Sequence, residues 1–352
     1  MTHTFRSSRL GQALFYGIYL ALSTLLLIVS LEGVVRFVIH LHYGHSGKTY
    51  GLWRYDPELG ADHRPNGYNS VATLNNFGFR NLEDVFQPKP PDGLRILAFG
   101  GSTTFGYNLA DGQTYTEKLQ EKLRTLPEFG KTQVLNAGRI NYSAGHNLIL
   151  MKRLAPQLKP DYVILYEGVN ELQNAWVLQR DGVSLNNLGE TYKVLGKSYD
   201  QNRWLKRNST IVRLIDYYVK PRAEYIRQEI FERHRNSSTA KVEIHPWIIR
   251  NYRYVFEQII RYLQEEKVKI IVVRYATFDH PELKAFADLS AEVAREKGVL
   301  ICDMQSRFDQ FGVNAGHLFI HTGAHVNSEG AKVLAQELYE TILLDLKMDR
   351  HS

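Results

Sequence analysis

The chain has 352 residues, 44% hydrophobic and 23% charged, an ordinary globular composition that excludes a disordered or low-complexity chain. Lys plus Arg number 43 and Asp plus Glu 37, a net charge of +6; the basic residues are scattered without an RNA-binding, zinc-finger or basic-zipper pattern, so no nucleic-acid partner is expected. A single cysteine, Cys302, excludes an internal disulfide framework and any multi-cysteine zinc or iron–sulfur centre.

Leu10 to Leu31 is 22 residues without a charge. At about 1.5 Å per helical residue such a run spans a hydrocarbon core ~30 Å thick. No small-x-small cleavage site follows it; Glu32, Gly33, Val34, Val35 and Arg36 come next. Residues 1–43 are therefore read as an uncleaved N-terminal transmembrane anchor. Arg6, Arg9 and the amino terminus precede the span, and Arg36, Lys48 and Arg54 follow it. That bias favours a single-pass protein with a cytoplasmic N-terminus and an extracytoplasmic main domain, periplasmic in a bacterium. Glu32 and Arg36, four apart, are placed to pair where the helix leaves the bilayer. Residues 44–92 are rich in Gly, Pro, Asn and Asp and have little periodicity. They read as a stalk and irregular N-terminal wrap, closed by Pro88, Pro90 and Pro91.

From residue 93 the pattern changes. Strand-like apolar runs occur at Leu94–Phe99, Gln133–Asn136, Tyr162–Tyr166, Ile270–Val273 and Val299–Cys302. Helical periodicity covers Tyr115–Leu126, His146–Leu158, Trp247–Glu266, Pro281–Lys297 and Ser328–Lys347. Near-continuous apolar strands alternating with helices predict an α/β domain over 93–352, a doubly wound five-stranded parallel sheet of flavodoxin-like type covered on both faces. One segment, about 175–245, breaks the alternation and reads as a helical insertion between the third and fourth strands. Ile211–Arg235 is helical in pattern and basic, but Asp216, Glu224, Glu229 and Glu232 are interleaved. That mixture favours a solvated helix pair over a lid or a surface for anionic lipid heads or acidic glycans.

Doubly wound sheets carry their sites at the carboxyl ends of the strands. Gly100-Gly101-Ser102-Thr103-Thr104-Phe105-Gly106 follows the first strand, Asn136-Ala137-Gly138-Arg139-Ile140-Asn141-Tyr142-Ser143 the second, and Glu167-Gly168-Val169-Asn170-Glu171 the third. His321-Thr322-Gly323-Ala324-His325-Val326-Asn327 precedes the last helix. Each piece alone has a plain structural explanation. A Gly-Gly-Ser turn binds phosphate as readily as it exposes a nucleophile; a lone His is more often structural; an Asn in a turn serves its backbone. Together, at one edge of one sheet, they supply a hydroxyl at a helix N-terminus, an imidazole able to take its proton, and a carboxamide able to hold an oxyanion.

The order of these blocks resembles the SGNH/GDSL hydrolase family, over residues 94 to about 347. The first family block is matched at Phe99–Gly106 with Ser102 at the nucleophile position, the second at Leu135–Ser143, the third at Gly168-Val169-Asn170-Glu171, and the last at His325-Val326-Asn327 with Gly330. Asn75-Asn76-Phe77-Gly78-Phe79-Arg80 is similar to a segment that often precedes the core in membrane-anchored members. The resemblance implies a membrane-anchored serine esterase or O-acyltransferase acting on a lipid or carbohydrate O-acyl ester. It assigns Ser102 as nucleophile, His325 as base, and Ser102, Asn141 and Asn170 as oxyanion donors. No cofactor is implied, and the oligomeric state is left open.

Two positions depart from the family pattern. Asn141 falls where the oxyanion glycine is usual; a backbone N–H survives, and Asn tolerates the left-handed region. Thr322 stands three residues before His325, where the family usually has Asp. Either a backbone carbonyl or Thr322 orients His325, or Asp303 or Asp309 substitutes, or the domain is catalytically weak or inactive and binds a glycan or partner protein instead. His317, His321 and His325 recur every four residues, but Gly316 and Gly323 flank or interrupt a helix there, so no metal site is expected.

Overall fold

The computed structural model describes residues 9–43, 48–56, 58–171, 209–212, 246–278, 281–320 and 323–349. They form two units. The first contains the N-terminal helix α1, Arg9–Tyr43, in which Gly11–Val38 is long and apolar enough to cross a membrane. It is apolar on all sides: Leu20, Leu26 and Leu27 are each 68% exposed. A helix hydrophobic all round is not built for water. Arg36 Nε and Glu32 Oε1 pair at 2.9 Å, as their spacing predicts. The same carboxylate accepts from Ser209 Oγ at 2.8 Å and Ile211 N at 3.2 Å, so residues 209–212 belong to this unit. Apart from 209–212, the inserted segment lies outside the described residues up to Pro246.

The second unit contains the sheet. Its strands are β5 Arg95–Gly100, β6 Gln133–Asn136, β7 Tyr162–Tyr166, β8 Lys269–Arg274 and β9 Leu300–Asp303, all parallel, in the order β6-β5-β7-β8-β9. Four short strands precede them in the chain. The sheet strands match the predicted runs to within one residue at each end. Every residue of β5, β6 and β7 is buried, the mark of strands covered on both faces. Helices α3 Tyr115–Leu123, α4 Ala144–Leu158, α5 Pro246–Glu265, α6 Pro281–Glu296 and α8 Ser328–Asp349 supply the cover. On α5 the buried positions Tyr252, Val255, Phe256, Ile259, Ile260 and Leu263 recur at three- and four-residue steps and form one stripe. Thr114 and Glu117 close a reciprocal capping box at the start of α3. The chain order reverses across the sheet between β5 and β7, and doubly wound sheets carry their sites beyond the carboxyl ends of the strands at such a point.

Residues 49–92 are more than a stalk. Within them β1 Thr49–Tyr50 pairs parallel with β4 Gly67–Tyr68, and β2 Trp53–Asp56 pairs antiparallel with β3 Gly60–His63. Leu59, Phe79 and Val85 enter the main core. These strands are two to four residues long and carry Gly, Asp, Arg and His among their few apolar residues, so no apolar run marks them in the sequence.

Candidate active site

The turn after β5 is built around what its glycines leave out. A Cβ on Gly100 would lie 2.3 Å from Thr104 Oγ1 and 2.5 Å from the Tyr166 carbonyl; a Cβ on Gly101 would lie 2.1 Å from Asn170 Nδ2. The chain therefore turns tightly into the one-turn helix α2, Ser102–Phe105, which ends at Gly106 in the left-handed region at φ +83°. Ser102 is the first helical residue and is 7% exposed. Its Oγ lies 2.8 Å from His325 Nε2.

His325 sits in the loop before α8, and the loop is pinned on both sides of it. Its carbonyl accepts from Ile320 N at 2.9 Å, and Phe319 bridges to Val326. Asn327 Oδ1 accepts from Glu329 N and Gly330 N at 3.0 and 3.1 Å, closing the start of α8. A Cβ on Gly330 would lie 2.4 Å from the Leu318 carbonyl, so the helix enters close against this loop. The ring of Tyr107, 42% exposed, packs 5.3 Å from the imidazole. Burial pushes the His325 imidazole from its ordinary 6.5 down to about 4 and keeps it neutral at neutral pH.

The loop after β6 lies directly against this turn. A Cβ on Gly138 would meet Phe105 N at 2.3 Å, and Asn136 Nδ2 donates to the Thr104 carbonyl at 2.8 Å. Asn141 adopts φ +66°, the left-handed conformation expected at a family glycine position. Asn170, 6% exposed at the end of β7, donates from Nδ2 to the Tyr142 carbonyl at 2.9 Å. One amide group thus touches both the second loop and the backbone beside Ser102.

The structure brings Ser102, His325 and Asn170 together and engages the two candidate aspartates elsewhere. Asp303 pairs with Arg274 at 2.9 Å and caps the short helix α7, Met304–Asp309, accepting from Ser306 N and Oγ at 3.0 and 2.8 Å. These partners hold Asp303 below the usual carboxylate range although burial pulls the other way. Asp309 accepts from Gln305 Nε2 at 2.7 Å. Thr322 and His321 lie outside the described residues. His317 lies in the last turn of a 3-10 helix, Gly312–Leu318, whose geometry differs from the α-helix that would align it with His325.

A family model described as GDSL-like lipase/acylhydrolase matches residues 98–333, more than half of the chain, and spans every block named above. The chain belongs to the GDSL-like lipase/acylhydrolase family. It is a GDSL-type hydrolase. Among curated proteins none matches it. Solved structures similar to this GDSL hydrolase include an acetylxylan esterase from Geobacillus stearothermophilus, at 15% identity, 71% coverage of this chain and 94% of that one, with a TM-score of 0.44. A lipase/acylhydrolase from Enterococcus faecalis is similar at 17% identity, 71% and 95% coverage, and a TM-score of 0.42.

Several contacts around the site of this GDSL hydrolase go beyond the roles that the family blocks assign. Arg139 and Asp62, both buried, pair at 3.0 Å, and Tyr142 Oη donates to the Ala61 carbonyl at 2.5 Å, so strand β3 of the wrap holds the second loop. Burial alone would raise Asp62; the guanidiniums of Arg139 and Arg54 outweigh it and keep the carboxyl below its ordinary value. At the end of β7, Glu171 accepts from the first N–H of α4 at 2.8 Å. Glu167, 2% exposed, accepts from Asn147 Nδ2 at 3.1 Å. Burial, and for Glu167 the neighbouring Glu171, push the two carboxyls up to about 7 and about 8. For Glu167 and Glu171 the signal in the sequence is their position after the third predicted strand.

Proposed function

We propose that this GDSL hydrolase is a membrane-anchored serine esterase or O-acyltransferase acting on a lipid or carbohydrate O-acyl ester, with its main domain outside the cytoplasm. The observation that carries this reading is the 2.8 Å approach of Ser102 Oγ to His325 Nε2 across 223 residues of chain. His325 takes the hydroxyl proton as Ser102 Oγ bonds to the ester carbonyl carbon. The tetrahedral oxyanion is held by the N–H groups of Ser102 and Asn141 and by the Asn170 amide. The Ser102 N–H suits that role because the first N–H of a helix has no intrahelical acceptor. His325 then gives its proton to the leaving alkoxide, which departs as an alcohol and leaves an acyl-serine. Water or an acceptor hydroxyl, deprotonated by His325, attacks that ester and regenerates Ser102. Thr322 or a backbone carbonyl is assigned to orient the second imidazole nitrogen, since Asp303 and Asp309 are engaged with other groups. The apolar helix over Gly11–Val38 supports the anchor, and Arg6 and Arg9 ahead of it support the orientation.

A fluorophosphonate probe tests the chemistry. The full chain is expected to label, and Ser102→Ala to abolish both labelling and hydrolysis of p-nitrophenyl acetate. Folded protein that neither labels nor hydrolyses would favour the binding-domain reading raised by Thr322.

A further inference from the structure

The segment Asn75–Arg80 has no part in the chemistry just described, yet its last residue reaches the nucleophile turn. Arg80 is 1% exposed. Its Nη1 donates to the carbonyls of Phe105 and Gly106 at 2.8 and 2.6 Å. Its Nη2 donates to those of Leu109 and Val71 at 2.5 and 3.1 Å. Its Cζ stands 4.6 Å from the centre of the Phe105 ring, and Asp111 Oδ1 lies 3.6 Å from Nε. Three of the four acceptors belong to the chain just after Ser102. They include carbonyls that a helix leaves without intrahelical donors at its C-terminal end, where a cation also complements the helix dipole.

The connection to Ser102 is one peptide long. Gly106 N and Tyr107 N both donate to the Ser102 carbonyl at 3.0 Å, so the Gly106 residue is gripped by Arg80 through its oxygen and grips Ser102 through its nitrogen. Arg80 itself is fixed to the sheet. Its N–H donates to the Asn136 carbonyl at 3.0 Å, Asn136 N donates to Asn81 Oδ1 at 2.9 Å, and Asn81 Nδ2 donates to the Val134 carbonyl at 2.9 Å. The guanidinium is therefore a rigid strut from the wrap and β6 to the turn. Its two terminal nitrogens offer four N–H groups in one plane to four carbonyls. A lysine ammonium offers three donors from a point and cannot reproduce that pattern.

We propose that Arg80 is a positioning residue for Ser102: the wrap uses it to set the turn so that Oγ stands in line with His325. The proposal rests on the Ser102 role given above. A displacement of the nucleophile by a fraction of an ångström to 1 Å lowers turnover by roughly 10- to 100-fold without altering how substrate is held.

The test uses the full chain and the Arg80→Lys variant, with kcat, KM, fluorophosphonate labelling rate and thermal midpoint measured together. Arg80→Lys is expected to stay folded at the assay temperature, with kcat and labelling rate lowered about 10-fold or more and KM changed by less than about threefold. Folded Arg80→Lys that keeps kcat, or loses only KM, overturns the proposal while leaving the Ser102 role standing. Wild-type protein that neither labels nor turns over removes the Ser102 role, and the proposal falls with it. If Arg80→Lys does not fold, Asp111→Asn decides, since it loosens the guanidinium without opening a void. A fall in kcat of about two- to fivefold at unchanged KM supports the proposal, and an unchanged kcat overturns it.

Discussion

In the proposed mechanism Ser102 is reactive only while His325 can accept a proton, so the charge state of one buried ring sets the acid limit of the reaction. Burial holds that ring at about 4 instead of 6.5. A depressed imidazole is neutral above the folded value and protonated only below it, so the base is present throughout neutral pH and is lost as pH falls through about 4. The kcat/KM profile for a neutral ester is accordingly expected to be level from about pH 5 upward, then to fall about tenfold per pH unit below about 4. An acid limb centred near 6.5 would show that a negative charge reaches the ring and offsets its burial, which would return attention to a carboxylate partner. The same residue scale explains what could be read beforehand. Ser102, Asn170 and His325 stand immediately after predicted strands or before a predicted helix, so position in the fold class selected them. Asp303 also follows a strand, but Arg274 is its neighbour across the sheet and takes up its charge. A pairing between two strands far apart in the chain leaves no trace in local sequence.

At the scale of elements, the central strands β5 and β7 were legible because burial on both faces makes each one a short, near-continuous apolar run. The strands of the wrap were not, because they are brief and many of its contacts are polar: Asp62 to Arg139, Tyr142 to Ala61, Arg80 to the turn after β5. These contacts come from strand-and-turn residues whose partners lie in other loops, which no periodicity records. The end of β7 carries a further consequence. Glu167 is buried between β7 and α4, and its Oε1 has no hydrogen-bond partner among the described residues. Its folded pKa of about 8 lies above the ordinary 4.5, so the fold favours the protonated form. The stabilisation is fully present below about 4.5 and is lost as pH rises through about 8. Unfolding free energy is therefore expected to decline by a few kcal/mol between pH 5 and 8.5, and Glu167→Gln, neutral at every pH, is expected to flatten much of that slope. Urea denaturation of both proteins across that range measures it. Parallel slopes would mean that Glu167 is charged in the folded protein at neutral pH.

For the whole molecule, the decisive feature is an α/β hydrolase unit on the same chain as a helix that presents Leu, Ile, Val and aromatic side chains in every direction. In water, exposing such a surface is unfavourable by roughly 25 cal/mol per Å² of apolar area, whereas a bilayer removes that penalty. The helix was legible from length and composition alone; its carboxylate at Glu32 was legible as a partner for Arg36, but not as an acceptor for Ser209 and Ile211, which lie far along the chain. The proposed orientation rests on charge. Arg6 and Arg9 sit close to one end of the span, while the basic residues beyond the other end begin at Arg36, paired with Glu32, and continue at Lys48 and Arg54. Arg6 and Arg9 stand close before the span, which supports the proposed orientation with that side in the cytoplasm. Alkaline phosphatase joined after Ser352 in a bacterial host is therefore expected to be active, and green fluorescent protein at the same position to stay dark. The full-length chain is expected to remain in the membrane fraction through alkaline carbonate washing, with its N-terminal sequence intact. Release into the soluble fraction with a new N-terminus beyond residue 31 would mean that the helix is a cleaved export signal and that the hydrolase works free of the membrane. A fluorescent C-terminal fusion would instead reverse the orientation and put Ser102 among cytoplasmic esters.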